Sequence, residues 1–301
     1  MRRPWSIRYG KGLARGLVSR DTLRVGELSI PGQDLAFTSD AGDDETFSHE
    51  NEPIDGLFGL GFQALATPSY GRTVLEHARE KKIITRRVFS FHMISTVGEG
   101  DPVPVRSDPA DPESPLDEVA SSLADEALHP DCFFVLGEAE PTLAPHGLHA
   151  VPIVPPESVE GRWVVPMDSM AVSGQDVAEF CSAESGATKP CFAWVDTGSS
   201  FVLLPARRYV EIMRGIISSR PDCSLGPSPS FRATCSIRES YLLPHVSFAF
   251  AGRSFLLAPE EYLLDGADDS GNSVFLLGFS PRASSRADVD EIILGDTFLK
   301  K

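Results

Sequence analysis

No run of roughly 18 consecutive apolar residues, the length a membrane-spanning helix needs, occurs anywhere in the 301 residues. Met1 to Gly12 lacks the apolar core of a secretory leader, so the chain reads as soluble and carries no address of its own. Cationic side chains are in short supply: 27 Lys and Arg face 43 Asp and Glu, for a net charge of -16. That excess argues against attraction to nucleic acid or to an anionic membrane surface. Also missing are a Gly-x-Ser-x-Gly elbow and a Gly-rich phosphate loop, since Gly59 to Gly61 has no Lys-Ser or Lys-Thr after it. Serine hydrolase and nucleotide-binding chemistry therefore have no support. His146 and His149 have no third or fourth ligand near them in sequence, which leaves no metal site in view.

Five cysteines are too few for a disulfide scaffold, but four of them fall into two close pairs, Cys181 with Cys191 and Cys223 with Cys235. Short disulfide loops are the natural reading, and they imply an oxidising compartment. Zinc ligation is the rival, although neither pair has the tight spacing of a zinc knuckle and no histidine lies between the partners. Cys132 opens the apolar run Cys132-Phe133-Phe134-Val135-Leu136 and reads as a buried free thiol.

What is present is a chain with 42% hydrophobic and 23% charged residues, ample for two modest cores. Short β-branched or aromatic runs broken by Gly and Pro recur, among them Arg24 to Ile30, Arg87 to Ile94, Cys132 to Leu136, Arg162 to Val172 and His245 to Leu257. Helical spacing is convincing only at Thr73 to Lys82 and at Ala206 to Ser219, where Val210, Met213, Ile216 and Ile217 form a stripe. The expected class is all-β, with packed sheets and short ancillary helices. Thr96 to Pro130, rich in Asp, Glu, Pro and Ser, is expected to be a solvated, mobile insertion open to proteolytic nicking, with a processing or docking loop as the alternative. Val154 to Gly161 separates two β-rich halves and is the expected boundary between residues 1–155 and 156–301. Trp5 to Leu17 already reads as the middle of a β-structure, from which the expectation follows that Met1 is not the natural start.

Phe192-Ala193-Trp194-Val195-Asp196-Thr197-Gly198-Ser199-Ser200-Phe201-Val202-Leu203-Leu204 carries the most chemistry. An apolar strand runs into Asp-Thr-Gly-Ser-Ser and out into a second apolar run, so a carboxylate sits at a tight turn between buried segments, where an unpaired charge is costly. Gly198 permits a close backbone approach, while Thr197, Ser199 and Ser200 offer hydroxyls and amides to hold the carboxylate. Such a turn suits a positioned acid or base. The plainer alternative is that Asp196 caps a turn or helix.

This turn, with its flanking hydrophobic residues, resembles the catalytic turn of the pepsin-like aspartic proteases, and the order of other motifs extends the resemblance along the chain. Tyr9-Gly10-Lys11-Gly12, Gly16 and Asp21 to Gly26 look like that family's flap hairpin and the strand after it. Ile54-Asp55-Gly56-Leu57-Phe58-Gly59-Leu60-Gly61 looks like the closing segment of its first lobe, and Val88 to Phe91 and Phe134 to Gly137 match two further strands. Trp163 to Ser173 resembles the entry into the second lobe, and Ile292-Ile293-Leu294-Gly295-Asp296-Thr297-Phe298-Leu299 its hydrophobic-hydrophobic-glycine element. Cys181 and Cys191 fall where the family carries a small disulfide loop, here enlarged. Cys235 precedes Leu242-Leu243-Pro244 as the family's last-disulfide cysteine does, and Cys223 is its natural replacement partner.

The resemblance implies a bilobal all-β fold whose first lobe is incomplete and whose last strands are missing. It makes Asp196 the second-lobe catalytic aspartate, Thr197 the residue whose hydroxyl ties the lobes together, Ser199 a carboxylate-holding hydroxyl supported by Gly198 and Ser200, and Tyr9, Gly10 and Gly12 parts of a substrate-binding flap. The implied chemistry is peptide hydrolysis by a water held between two carboxylates, with no cofactor and no metal. A peptide or protein substrate, a monomeric full-length protein, and a secretory, acidic endomembrane or extracellular location belong to the same expectation. The sequence departs from the pattern at Lys11 and Leu13, and Asp196 to Gly198 is its only such turn with the right flanks. Lys11 either favours acidic substrate side chains or points to solvent. Two further functions stay open: a non-catalytic relative that binds peptides or a partner, and a homodimer built around two copies of Asp196.

Overall fold

The computed structural model describes residues 3–9, 12–40, 55–66, 71–93, 132–138, 148–177, 181, 191–226, 233–236, 242–267, 273–282 and 290–300. The acidic stretch 96–130, Gly10, Lys11, Ile54 and His146 lie outside these residues.

Strands dominate, as the short apolar runs broken by Gly and Pro lead one to expect. β1 (Arg3–Tyr9), β2 (Gly12–Val25) and β3 (Leu28–Asp40) form an antiparallel sheet, followed by helix α1 (Val74–Glu80) and the paired strands β4 (Phe89–His92) and β5 (Phe133–Leu136). Then come β6 (Val164–Pro166), β7 (Ser169–Val172), β8 (Gln175–Asp176), β9 (Cys191–Val195), β10 (Val202–Pro205) and helix α2 (Ala206–Ile217). The remainder comprises β11 (Cys223–Leu225), β12 (Ala233–Cys235), β13 (Val246–Phe250), β14 (Arg253–Leu257), α3 (Pro259–Tyr262), β15 (Leu263–Ala267), β16 (Ser273–Leu277), β17 (Phe279–Arg282), β18 (Asp290–Leu294) and α4 (Asp296–Leu299). The second half builds three sheets, ordered β17-β10-β18-β9-β6, β11-β12-β16-β15 and β14-β13-β7-β8.

Two hydrophobic clusters hold these layers. The larger gathers residues from Met167 to Leu294, with Met170, Ala193, Val202, Leu204, Phe248 and Ile292 fully buried. Alternation on β9 explains the choice of face: Cys191 and Ala193 point into this core, while Phe192 and Trp194 stand on the opposite side. The smaller cluster packs Val74 and Ala78 of α1 and the following Ile84 onto Ile30 of β3. Residues 60–62 meet residues 161–163 where the Trp163 indole donates to the Leu60 carbonyl at 2.8 Å, with its ring tilted 40° to Phe62 at 4.1 Å, and where the Phe62 amide donates to the Gly161 carbonyl at 2.9 Å. Burial of an aromatic pair with its polar edge satisfied is a specific joint rather than a loose linker.

Several sequence expectations resolve differently in three dimensions. Arg24 to Ile30 is not one strand, because a turn at Gly26 (φ +53°) folds the end of β2 onto the start of β3. His245 to Leu257 likewise splits at Ala251 and Gly252, both with positive φ, into the β13–β14 hairpin. Met167 and Asp168 separate β6 from β7. The buried stripe of α2 is Tyr209, Ile212, Met213 and Ile216, with Val210 and Ile217 half-buried beside it; position 209 completes the i, i+3, i+4, i+7 spacing that an aromatic residue concealed. Cys132 is exposed, not buried, since it precedes the paired part of β5 and gains no cover from β4.

His77 of α1 is buried against β3, where its Nδ1 lies 3.0 Å from Gln33 Oε1. Gln33 uses its amide nitrogen on the Asp34 and Arg72 carbonyls, so its oxygen accepts and Nδ1 carries the proton. Burial, then Lys81 and Arg72, hold the imidazole below its ordinary value of 6.5, against the opposing carboxylates of Glu80 and Asp34. The folded chain thus takes up that proton less readily than the unfolded one, so stability is full above about pH 6.5 and falls as the pH drops through and below it. Thermal unfolding between pH 7.5 and 5 should show a larger loss for the unaltered protein than for His77→Gln, and parallel curves would exclude this role.

Candidate active site

Strand β18 lies between β9 and β10 in the sheet, running parallel to β9 and antiparallel to β10, although β9 and β10 are neighbours in sequence. The link between them, Asp196 to Phe201, must therefore cross over the end of β18. Leu294 faces Val195 in register, and the Asp196 amide closes the ladder by donating to the Leu294 carbonyl at 3.1 Å. Gly295 is required there, because any Cβ would collide with the carbonyl oxygens of Ser199 and Phe201.

At this crossing both oxygens of the half-buried Asp196 carboxylate are held. The Gly198 amide donates to Oδ1 at 3.0 Å and the Ser199 hydroxyl to Oδ2 at 2.8 Å, while the Ser199 amide closes the turn on the Asp196 carbonyl at 3.2 Å. Charge-assisted bonds of this kind fix a carboxylate's orientation. Thr197, Gly198 and Ser200 are exposed around it. From below, the Asp296 amide donates to the Ser199 carbonyl at 2.7 Å, and both the amide and the hydroxyl of Thr297 donate to the Ser200 carbonyl, at 3.1 and 2.9 Å.

The strand that delivers Asp196 is secured on both faces. Cys191, its first residue, is bonded to Cys181. Trp194, on the other face, carries the guanidinium groups of Arg282 and Arg162 over its ring, 4.0 and 4.7 Å from the centroid, and Arg282 pairs with Glu291 of β18 at 3.6 Å. Cation–π contacts of this kind are worth about 0.5–2 kcal/mol. The second disulfide, Cys223–Cys235, joins residues directly opposite each other on β11 and β12. Both sulfur pairs are thus covalently closed, which removes the zinc alternative.

Tyr9 and Gly12 face each other at the end of the β1–β2 hairpin, with Gly10 between them outside the described residues. His149, considered for a metal, directs Nε2 to the Phe250 carbonyl at 3.1 Å. Asp296 and Thr297 did not stand out in sequence as site residues. The signal that marks them is the glycine before them, which only a crossing backbone demands.

The sequence profile described as eukaryotic aspartyl protease matches residues 1–103 and 124–301. The chain belongs to the eukaryotic aspartyl protease family. Residues 104–123, which the match omits, fall inside the acidic stretch 96–130. Its relatives include a vacuolar aspartic protease of Candida albicans, 26% identical over 298 residues, covering 99% of this chain and 57% of the relative. Pepsin A of Bos taurus is 25% identical over 296 residues (98% of this chain, 64% of the relative), and cathepsin E of Rattus norvegicus is 25% identical over 302 residues (99% and 61%). The chain thus spans less than two thirds of the length of these relatives. No helix among the described residues is long and apolar enough to cross a membrane.

In this family member the Asp296 carboxyl titrates above its ordinary value of 3.8, chiefly through burial; the nearby Asp196 adds to the rise and Lys300 opposes it. A carboxyl whose folded value is raised keeps its proton longer in the folded chain, so its ionisation opposes folding. The penalty is absent well below pH 3.8 and grows as the pH rises through the folded value. Asp296→Asn should accordingly raise the unfolding temperature at pH 7 and leave it nearly unchanged at pH 3; an equal shift at both values would refute the ionisation argument.

Proposed function

We propose that the complete protein is an aspartic-type endopeptidase in which Asp196 supplies one of two carboxylates. The observation that carries this reading is the crossing turn itself: a carboxylate set at the mouth of an apolar sheet, with one donor on each oxygen and its backbone braced from β18. An Asp used merely as a cap would need only one such donor. Family membership supports the same conclusion.

Hydrolysis of this kind needs a second carboxylate, so that one group accepts the proton of the attacking water while the other donates to the scissile carbonyl. Two such groups titrate as a pair; pepsin is the standard worked example of this coupling. The chain spans 57% to 64% of the relatives reported above, and the second carboxylate belongs, on this reading, to the rest of a longer protein. Residues 1–155 then form part of one lobe and 156–301 most of the other, with Tyr9, Gly10 and Gly12 in a flap over the peptide. Thr197, exposed beside the turn, supplies on this reading the hydroxyl that ties the two lobes together. Two disulfides and the vacuolar names of the relatives from Candida albicans and Aspergillus fumigatus support a secretory, endomembrane or extracellular site of action.

Assayed on a denatured protein substrate at acidic pH, the full-length protein should cleave peptide bonds, and Asp196→Asn should lower kcat by about a thousandfold or more while leaving the unfolding temperature within a few degrees. Full activity in Asp196→Asn would refute the assignment. A well-folded, inert full-length protein that still binds peptides would establish the non-catalytic alternative instead.

A further inference from the structure

Three donors reach the Asp196 turn from the segment after β18, and only one of them depends on which side chain is present. The amides of Asp296 and Thr297 would be supplied by any residue other than proline. The Thr297 hydroxyl would not. We propose that Thr297 is a positioning residue for the Asp196 carboxylate, acting through the Ser200 and Ser199 backbone; the proposal rests on the reading of Asp196 as catalytic.

Thr297 is 6% exposed, one of few buried polar side chains among the described residues. A buried hydroxyl must find an acceptor, and this one is directed to the Ser200 carbonyl at 2.9 Å, an oxygen that also accepts the Thr297 amide at 3.1 Å. Both lone pairs of that carbonyl are thereby occupied. The neighbouring Ser199 carbonyl is held by the Asp296 amide, and Ser199 itself places its hydroxyl on Asp196 Oδ2 at 2.8 Å. The path from Thr297 to the carboxylate is therefore short: two hydrogen bonds joined by the Ser199–Ser200 backbone.

The far side of the pocket is closed as well. A Cβ at Gly278 would fall 2.5 Å from Thr297 Cγ2 and 2.7 Å from Oγ1, so glycine there leaves space that the threonine fills. Gly278 in turn accepts the Val202 amide at the start of β10 and donates to the Tyr262 carbonyl. Thr297 thus sits between Gly278, at the junction of β16 and β17, and the turn itself. Valine has the same shape and no donor, so shape alone does not account for threonine at this position.

The test compares Thr297→Val, which keeps the volume and removes the hydroxyl, with Thr297→Ser, which keeps the hydroxyl, in the full-length protein. The valine variant should lose about tenfold in kcat with KM changed less than about twofold, as expected for a carboxylate displaced by a fraction of an ångström. Its kcat–pH profile should shift, and serine should restore both. An unchanged kcat and pH profile in Thr297→Val would overturn the proposal, as would equal losses in the two variants, which would make the methyl group responsible. Should the valine variant fail to fold, Thr297→Ala takes its place in each comparison. If the unaltered protein proves to have no peptidase activity, the catalytic reading fails separately. Carboxyl carbon-13 titration of Asp196 then decides: an altered curve in the valine variant supports positioning, and superimposable curves overturn it.

Discussion

A strand inserted between two strands that are consecutive in sequence forces their connection to pass over its end, and in this protein that connection is Asp196 to Phe201. The crossing brings backbone against backbone, which is tolerable only because Gly295 has no side chain. It also leaves the carbonyls of Ser199 and Ser200 pointing at the chain that continues from β18, where Asp296 and Thr297 supply the donors. A backbone polar group left unpaired in such a place would cost on the order of 1–3 kcal/mol. The turn is therefore shaped by the need to satisfy these groups before any chemistry is considered, and Asp196 takes its position from that shape.

The sheet beneath the turn is asymmetric in a way that suits this duty. One face, with Ala193, Val202, Leu204 and Ile292, is sealed into the main core. The other carries Trp194 under two guanidinium groups and an ion pair to Glu291, a cover that is amphipathic rather than dry. The apolar residues of β9 hold the strand in place up to Val195, and polar contacts take over from Asp196 onward. The Cys181–Cys191 bridge pins the opposite end of the same strand. Rigid support from packed strands, with the carboxylate on a short connection, is the usual division of labour between scaffold and site.

Much was legible in the residue order. Short apolar runs with Gly and Pro between them identified a β-rich chain, the two longer helices stood out by their spacing, and the cysteine pairs matched the bridges that form. The errors share a cause. Turns at Gly26 and at Ala251-Gly252 lay inside stretches read as single strands, and the exposure of Cys132 depends on where its neighbour strand stops. Periodicity reports which residues are apolar, not where the backbone reverses.

The local grammar of the chain, then, determined the elements, the Asp-Thr-Gly-Ser-Ser turn and the hydroxyls beside its carboxylate, because strand preference, turn chemistry and short-range donors act over a few residues. The tertiary structure alone decided that residues 294–297 would lie under residues 196–200, that Trp194 would meet Arg162 and Arg282, and that Gly278 would make room for Thr297. Those meetings join positions from 19 to about a hundred residues apart. They follow from the order of strands in the sheet, which is selected by burying the whole core at once and leaves no mark within any short window of sequence.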